Sequence, residues 1–244
     1  MPVLPWFTAT YTSLISRYLA KKLHHGLLLT GVSGIGKNQL ALGLSNTLLC
    51  KHPSVDGPCE QCQSCHLRQA GNHPDFHILE SEKQLGVDKI REGIAKLSGT
   101  AQMGGNKVLL IPKADTMTEA AANALLKTLE EPPPQVLLIL VATSEGALLP
   151  TIRSRCQRLE MKALPVDQVA KELTSNHELA VEKADLLSRL SMGRLGWALS
   201  AIGDPSTLEQ RGEEMEKISR LSGANMEERF DYASGLASLH SRNR

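Results

Sequence analysis

Apolar residues along this chain come in two arrangements, short unbroken runs and longer stretches of helical periodicity. Gly26-Leu27-Leu28-Leu29-Thr30, Val108-Leu109-Leu110-Ile111 and Val136 to Ala142 are unbroken runs, the pattern of strands buried on both faces of a parallel sheet. Between them, Leu40, Ala41, Leu44 and Leu48 recur at helical spacing, and Val87, Ile90, Ile94 and Leu97 share one helical face. Residues 75–79 form a weaker strand candidate. Thr118 is placed to cap a helix over 119–130, rich in Ala and Leu, and Pro132-Pro133-Pro134 forbids its continuation. Strands alternating with helices at these lengths predict an α/β fold with a parallel sheet and right-handed crossovers.

The strand signal fades from Pro165. Val166, Val169, Ala170 and Leu173 then suggest a small all-helical domain, and Asp204-Pro205 a hinge into a third segment. A chain of 244 residues is long enough for one substantial core and a smaller module.

The loop between the first strand and its helix carries the first candidate chemistry. Gly31-Val32-Ser33-Gly34-Ile35-Gly36-Lys37 has the spacing of a loop that holds phosphates with backbone N–H groups at a helix N-terminus, its lysine neutralising the outer phosphates. At Asn38 the pattern breaks, because a hydrolysing loop places a magnesium-ligating serine or threonine there. The next strand should end in an acid that organises magnesium, followed by one that prepares the attacking water. Those places read Pro112 and Lys113. Asp115 lies three residues past the strand end and belongs more naturally to the loop before the next helix. The loop is therefore expected to bind phosphate without turnover, or to persist for its turn geometry alone.

Cys50, Cys59, Cys62 and Cys65 form a C-x8-C-x2-C-x2-C array, with Cys156 alone downstream. Four thiolates enclose zinc tetrahedrally and leave no position for water, so a structural site stapling the polar stretch 51–69 is expected. Disulfides are disfavoured in a reducing compartment, and replacement of one thiol by His52, His66 or His73 is the competing ligand set. Cys156, with no histidine beside it in sequence, reads as a small buried residue of the following strand.

Composition narrows the partners. A net charge of +1 does not describe an autonomous nucleic-acid binder, and 3% aromatic residues make no base-stacking platform. A DNA contact would be shared with other subunits. The sequence holds no long apolar stretch, and a start with Pro2, Pro5 and Trp6 is unlike a secretory signal, so a cytoplasmic location is expected.

Two segments go further. Ala121-Ala122-Asn123-Ala124-Leu125-Leu126-Lys127-Thr128-Leu129-Glu130-Glu131-Pro132-Pro133 and Ile152-Arg153-Ser154-Arg155-Cys156 resemble bacterial clamp-loader subunits of the AAA+ superfamily. The likeness takes in the four cysteines, His73-Pro74-Asp75 and the run from Leu85 to Arg91. It implies an AAA+ domain over 1–163 with its zinc module at 50–65, a helical lid over 164–205, and the start of a truncated helical collar over 206–244.

Asn38, Pro112 and Lys113 depart from the ATP-hydrolysing gamma/tau subunits of that family, as does Gly196, where those relatives place a nucleotide-sensing arginine. Arg194 is two residues off that position. The resemblance thus implies a non-hydrolysing subunit with doubtful ATP binding, beside gamma/tau and delta subunits in a hetero-pentamer that loads the sliding clamp onto primed DNA. It further implies that Arg155 reaches in trans into the neighbour's ATP site, where a guanidinium fork binds γ-phosphate oxygens. Without it, Arg155 would read as a surface ion pair, as Arg153 and Arg158 do. Thr143 falls at the family's polar sensor position, but its hydroxyl is expected to cap the residues from Glu145 or satisfy a turn. The rival expectation is a gamma/tau-type ATPase that tolerates Asn38 and recruits Asp115.

Overall fold

A computed structural model describes residues 4–204 continuously and individual positions from 206 to 234. It divides into two compact units between Ala163 and Leu164. In chain order the first unit holds α1 (Thr8–Leu19), β1 (Gly26–Thr30), α2 (Lys37–Leu49), α3 (Gln63–Gln69), β2 (Phe76–Ile78), α4 (Val87–Leu97), β3 (Lys107–Ile111), α5 (Glu119–Glu130), β4 (Val136–Ala142), α6 (Pro150–Arg153) and β5 (Gln157–Glu160). The second holds α7 (Val166–His177), α8 (Val181–Ser191) and α9 (Leu195–Gly203).

The five strands make one sheet in the order β2-β3-β4-β1-β5, every pair parallel. Side chains alternate across it, so each apolar run feeds two cores. Leu28, Leu109, Ile111, Leu138 and Leu140 face α4 and α5, where Ile90, Leu97, Leu125 and Leu129 are buried. Leu27, Leu29, Val108, Leu110, Ile139 and Val141 face α1 and α2, where Leu14, Ile15, Leu40, Leu44 and Leu48 are buried. Both faces are covered, which is why the strands are unbroken apolar runs. Each such leucine contributes about 1.5–3 kcal/mol on burial.

Local signals set the element ends. The Thr118 hydroxyl accepts from the Ala121 N–H at 3.2 Å, the expected cap of α5. In the second unit, Val169, Leu173, Ala184, Leu187 and Ala198 are buried among α7, α8 and α9. Arg194 sits at the N-cap of α9, one residue before the helix, and donates from Nε to the Ser191 carbonyl at 3.0 Å. The segment expected from 206 onward lies largely outside the described residues. Among those described, no helix is long and apolar enough to cross a membrane.

Candidate functional site

The phosphate-type loop leaves the carboxyl end of β1, between β4 and β5 in the sheet. Ligands of open parallel sheets bind at that end. Gly36 caps α2 with φ 95° and ψ 16°, a left-handed conformation that costs a residue with a Cβ about 1–2 kcal/mol. A Cβ there would also collide with Leu4 Cδ1. Leu4 therefore sits directly on the loop, and beside it the Trp6 indole donates to the Ile35 carbonyl at 3.2 Å. Lys37 turns back on its own loop, with Nζ donating to the carbonyls of Gly31 at 2.6 Å and Val32 at 2.8 Å. Burial lowers its pKa, and the nearby Asp115 carboxylate partly opposes that shift.

The strand that should supply acids ends at Ile111, followed by Pro112 and Lys113. Asp115 lies in a 3-10 turn, Ala114–Thr116, and its Oδ2 accepts the backbone N–H of Thr143 at 3.0 Å and the Thr143 hydroxyl. Of the two expectations for Thr143, the cap on the residues from Glu145 is not formed. The Thr143 hydroxyl ties the end of β4 to the turn after β3, and the N-cap of the residues from Glu145, Ser144, makes no side-chain capping bond.

Arg155 lies at the opposite end of the sheet. β5 pairs with β1 in the register Leu27↔Gln157 to Thr30↔Glu160, so Arg155, two residues before β5, stands at the amino ends of the strands. The five residues of β1 span about 13 Å at the usual rise, separating Arg155 from the loop that follows Thr30. Its backbone packs on Gly26, where a Cβ would meet Leu129 Cδ2 at 3.0 Å and the Arg155 carbonyl oxygen at 3.4 Å. All three of its guanidinium nitrogens are engaged: Nε donates to Glu130 Oε1 at 2.7 Å, Nη2 lies 2.5 Å from the same oxygen, and Nη1 donates to the Thr151 carbonyl at 3.0 Å. Glu130 is 25 residues away, and no local spacing announces the pair.

Arg153 and Arg158 both turn to Glu145, at 3.7 Å and 2.5 Å. Arg158 is exposed, as a surface charge should be, whereas Arg153 Nε is buried without a hydrogen-bond partner. Cys156 is buried immediately before β5, and burial pushes its thiol up to about 12, which removes the thiolate a nucleophile needs.

The other four cysteines converge. All four Sγ atoms lie within 4.8 Å of one another, with Cys50 to Cys59 at 3.5 Å, Cys50 to Cys62 at 4.0 Å and Cys62 to Cys65 at 3.5 Å. Tetrahedral zinc with Zn–S of about 2.3 Å calls for sulfurs about 3.8 Å apart, so the cluster is compatible with zinc. Backbone N–H groups of His52 at 3.4 Å and Cys59 at 3.2 Å point at Cys50 Sγ, as donors do around a metal-bound thiolate.

His73 is engaged elsewhere. The Asp75 N–H can only donate, so His73 Nδ1 accepts it at 3.1 Å. The ring proton is then on Nε2, directed at Ser64 Oγ at 2.7 Å, and the Ser64 hydroxyl donates to the Leu49 carbonyl at 2.5 Å. Asp75 receives the N–H groups of Gln102 and Met103, each at 2.8 Å. His73-Pro74-Asp75 thus ties the cysteine module to α2 and to the turn before β3.

Comparison with known proteins agrees with this architecture. The sequence model of the family described as DNA polymerase III, delta subunit, matches residues 7–165. The DNA polymerase III subunit delta′ of Escherichia coli K12 is 42% identical over 201 residues, which cover 80% of this chain and 60% of that protein. Its counterpart from Pseudomonas aeruginosa PAO1 is 37% identical over 225 residues, covering 90% and 67%. The tau/gamma subunit of Haemophilus influenzae Rd is 33% identical over 162 residues, 66% of this chain and 24% of that one. The chain spans 60% of the Escherichia coli relative's length.

Among solved structures, a DNA polymerase III gamma subunit-related protein of Thermotoga maritima superposes with a TM-score of 0.51 at 25% identity, covering 79% of this chain and 60% of that one. The RuvB branch migration motor of the same organism reaches 0.50 at 16% identity, covering 86% and 69%, a likeness of fold alone. The fold is AAA+-like, with a parallel sheet and a four-cysteine cluster inserted after the helix of the phosphate-type loop. With matches of this extent to the delta-prime proteins, the chain belongs to the DNA polymerase III delta-prime subunit family.

Proposed function

We propose that this chain is a non-hydrolysing subunit of the DNA polymerase III clamp loader, and that it serves the ATP site of an adjoining subunit through Arg155. The observation that carries the reading is the placement of Arg155 at the amino end of the sheet, a strand's length from Lys37. An arginine there has no route to its own loop and lies where an adjacent subunit can meet it.

The loop's own side supports the same reading. Asn38 replaces the magnesium-ligating hydroxyl, Pro112 and Lys113 replace the acids, and Leu4 and Trp6 lie against the loop. The gamma/tau-type alternative relies on Asp115, whose Oδ2 already receives two hydrogen bonds from Thr143. The partners are gamma/tau and delta subunits in a hetero-pentamer, which loads the sliding clamp onto primed DNA; the 33% identity to a tau/gamma subunit over 162 residues supports a place in such a complex. Residues 1–163 serve as the AAA+ domain, 164–205 as the lid, and 206–244 as the start of the collar. Zinc on Cys50, Cys59, Cys62 and Cys65 is structural, and the setting is cytoplasmic.

Nucleotide assays on the purified subunit test this reading. ATP turnover is expected to be absent with or without magnesium. Turnover that disappears in Lys37→Ala would assign the chain to the hydrolysing class.

A further inference from the structure

Arg155 is held by a carboxylate that the reading above does not use. Its side chain is 34% exposed, yet three of its nitrogens are engaged. Nε and Nη2 lie against a single oxygen, Glu130 Oε1, while Nη1 donates to the Thr151 carbonyl and lies 3.3 Å from Ser154 Oγ. Among the described residues one N–H, on Nη2, has no acceptor, and an incoming oxygen could take it without breaking any of these bonds.

The carboxylate is itself fixed. Glu130 is the last residue of α5, 48% exposed on its side chain. The carbonyl of the preceding Leu129 accepts from His25 Nε2 at 2.7 Å. Leu129 Cδ2 also packs on Gly26, the residue against which the Arg155 backbone lies. Glu130 and Arg155 are thus referenced to the same edge of the sheet, the amino end of β1.

We propose that Glu130 is the positioning residue for Arg155. It orders a long, flexible side chain within the subunit, so the guanidinium meets the neighbour's nucleotide already oriented. Ordering on folding leaves less freedom to lose on association, and a displacement of about 1 Å at a reacting phosphate can cost about 10²-fold in rate. This rests on the trans role of Arg155.

The test uses the full-length subunit in a reconstituted loader, with ATP turnover measured for Glu130→Ala, Glu130→Gln, Arg155→Ala and the double variant Glu130→Ala/Arg155→Ala. Glu130→Ala should lower turnover at the adjoining site about tenfold, within that range. Glu130→Gln, which keeps an oxygen for Nε, should recover part of it. The double variant should be no slower than Arg155→Ala, a non-additivity that general destabilisation would not produce. If Glu130→Ala matches the wild type while Arg155→Ala is slow, the positioning role is overturned and the trans role stands. If Arg155→Ala itself leaves turnover unchanged, both are overturned.

Discussion

The Asp115 carboxylate receives the Thr143 backbone N–H at 3.0 Å together with the Thr143 hydroxyl, joining the turn after β3 to the end of β4. This pair sits beside the phosphate-type loop, where the charge of Asp115 acts on Lys37. Two donors on one oxygen make it a structural acceptor there.

Asp115→Asn should accordingly lower the stability of the subunit by about 1 kcal/mol, the net worth of such hydrogen bonds, and leave the loader's ATP turnover untouched. Urea unfolding and a turnover assay on the same preparation measure both. A loss of turnover at unchanged stability would restore Asp115 as a catalytic acid.

The cysteine cluster calls for about one zinc per chain by elemental analysis. Replacing Cys59 and Cys62 together by serine should abolish the metal, and α3, which begins directly after Cys62, should lose amide protection in hydrogen exchange. Retention of a full equivalent of zinc in that variant would show that the ligands lie elsewhere.

His73 makes stability depend on pH. Burial holds its folded pKa below the ordinary histidine value, which the unfolded chain keeps at about 6.5. As pH falls through that value the unfolded chain takes up the proton first, so stability declines from about pH 6.5 down to the lower folded value and is level above it. His73→Asn should flatten that part of the profile, seen as a smaller difference in unfolding free energy between neutral and mildly acidic buffer. An unchanged slope would mean that other groups carry the dependence.

Much of this was legible in the sequence because the signals are local. β4 and α5 follow from an unbroken apolar run and from a cap three residues before its acceptor's partner, and the cysteine cluster from spacing alone. The side-chain pairings were not. Arg155 finds Glu130 across 25 residues, Thr143 finds Asp115 across 28, and Trp6 reaches Ile35 across 29. Each depends on which strand ends the topology brings together, and no periodicity encodes that. Thr143 follows the same rule: a hydroxyl at a strand end looks like a local cap until the neighbouring strand's turn is placed beside it.

Single-turnover ATP hydrolysis by loaders reconstituted with the wild-type or Arg155→Ala subunit tests whether Arg155 acts on a neighbour's nucleotide. With assembly verified by size, hydrolysis at the adjoining site should fall by about 10³-fold or more, the range for arginines of this kind. Equal rates in the two assembled loaders would contradict it.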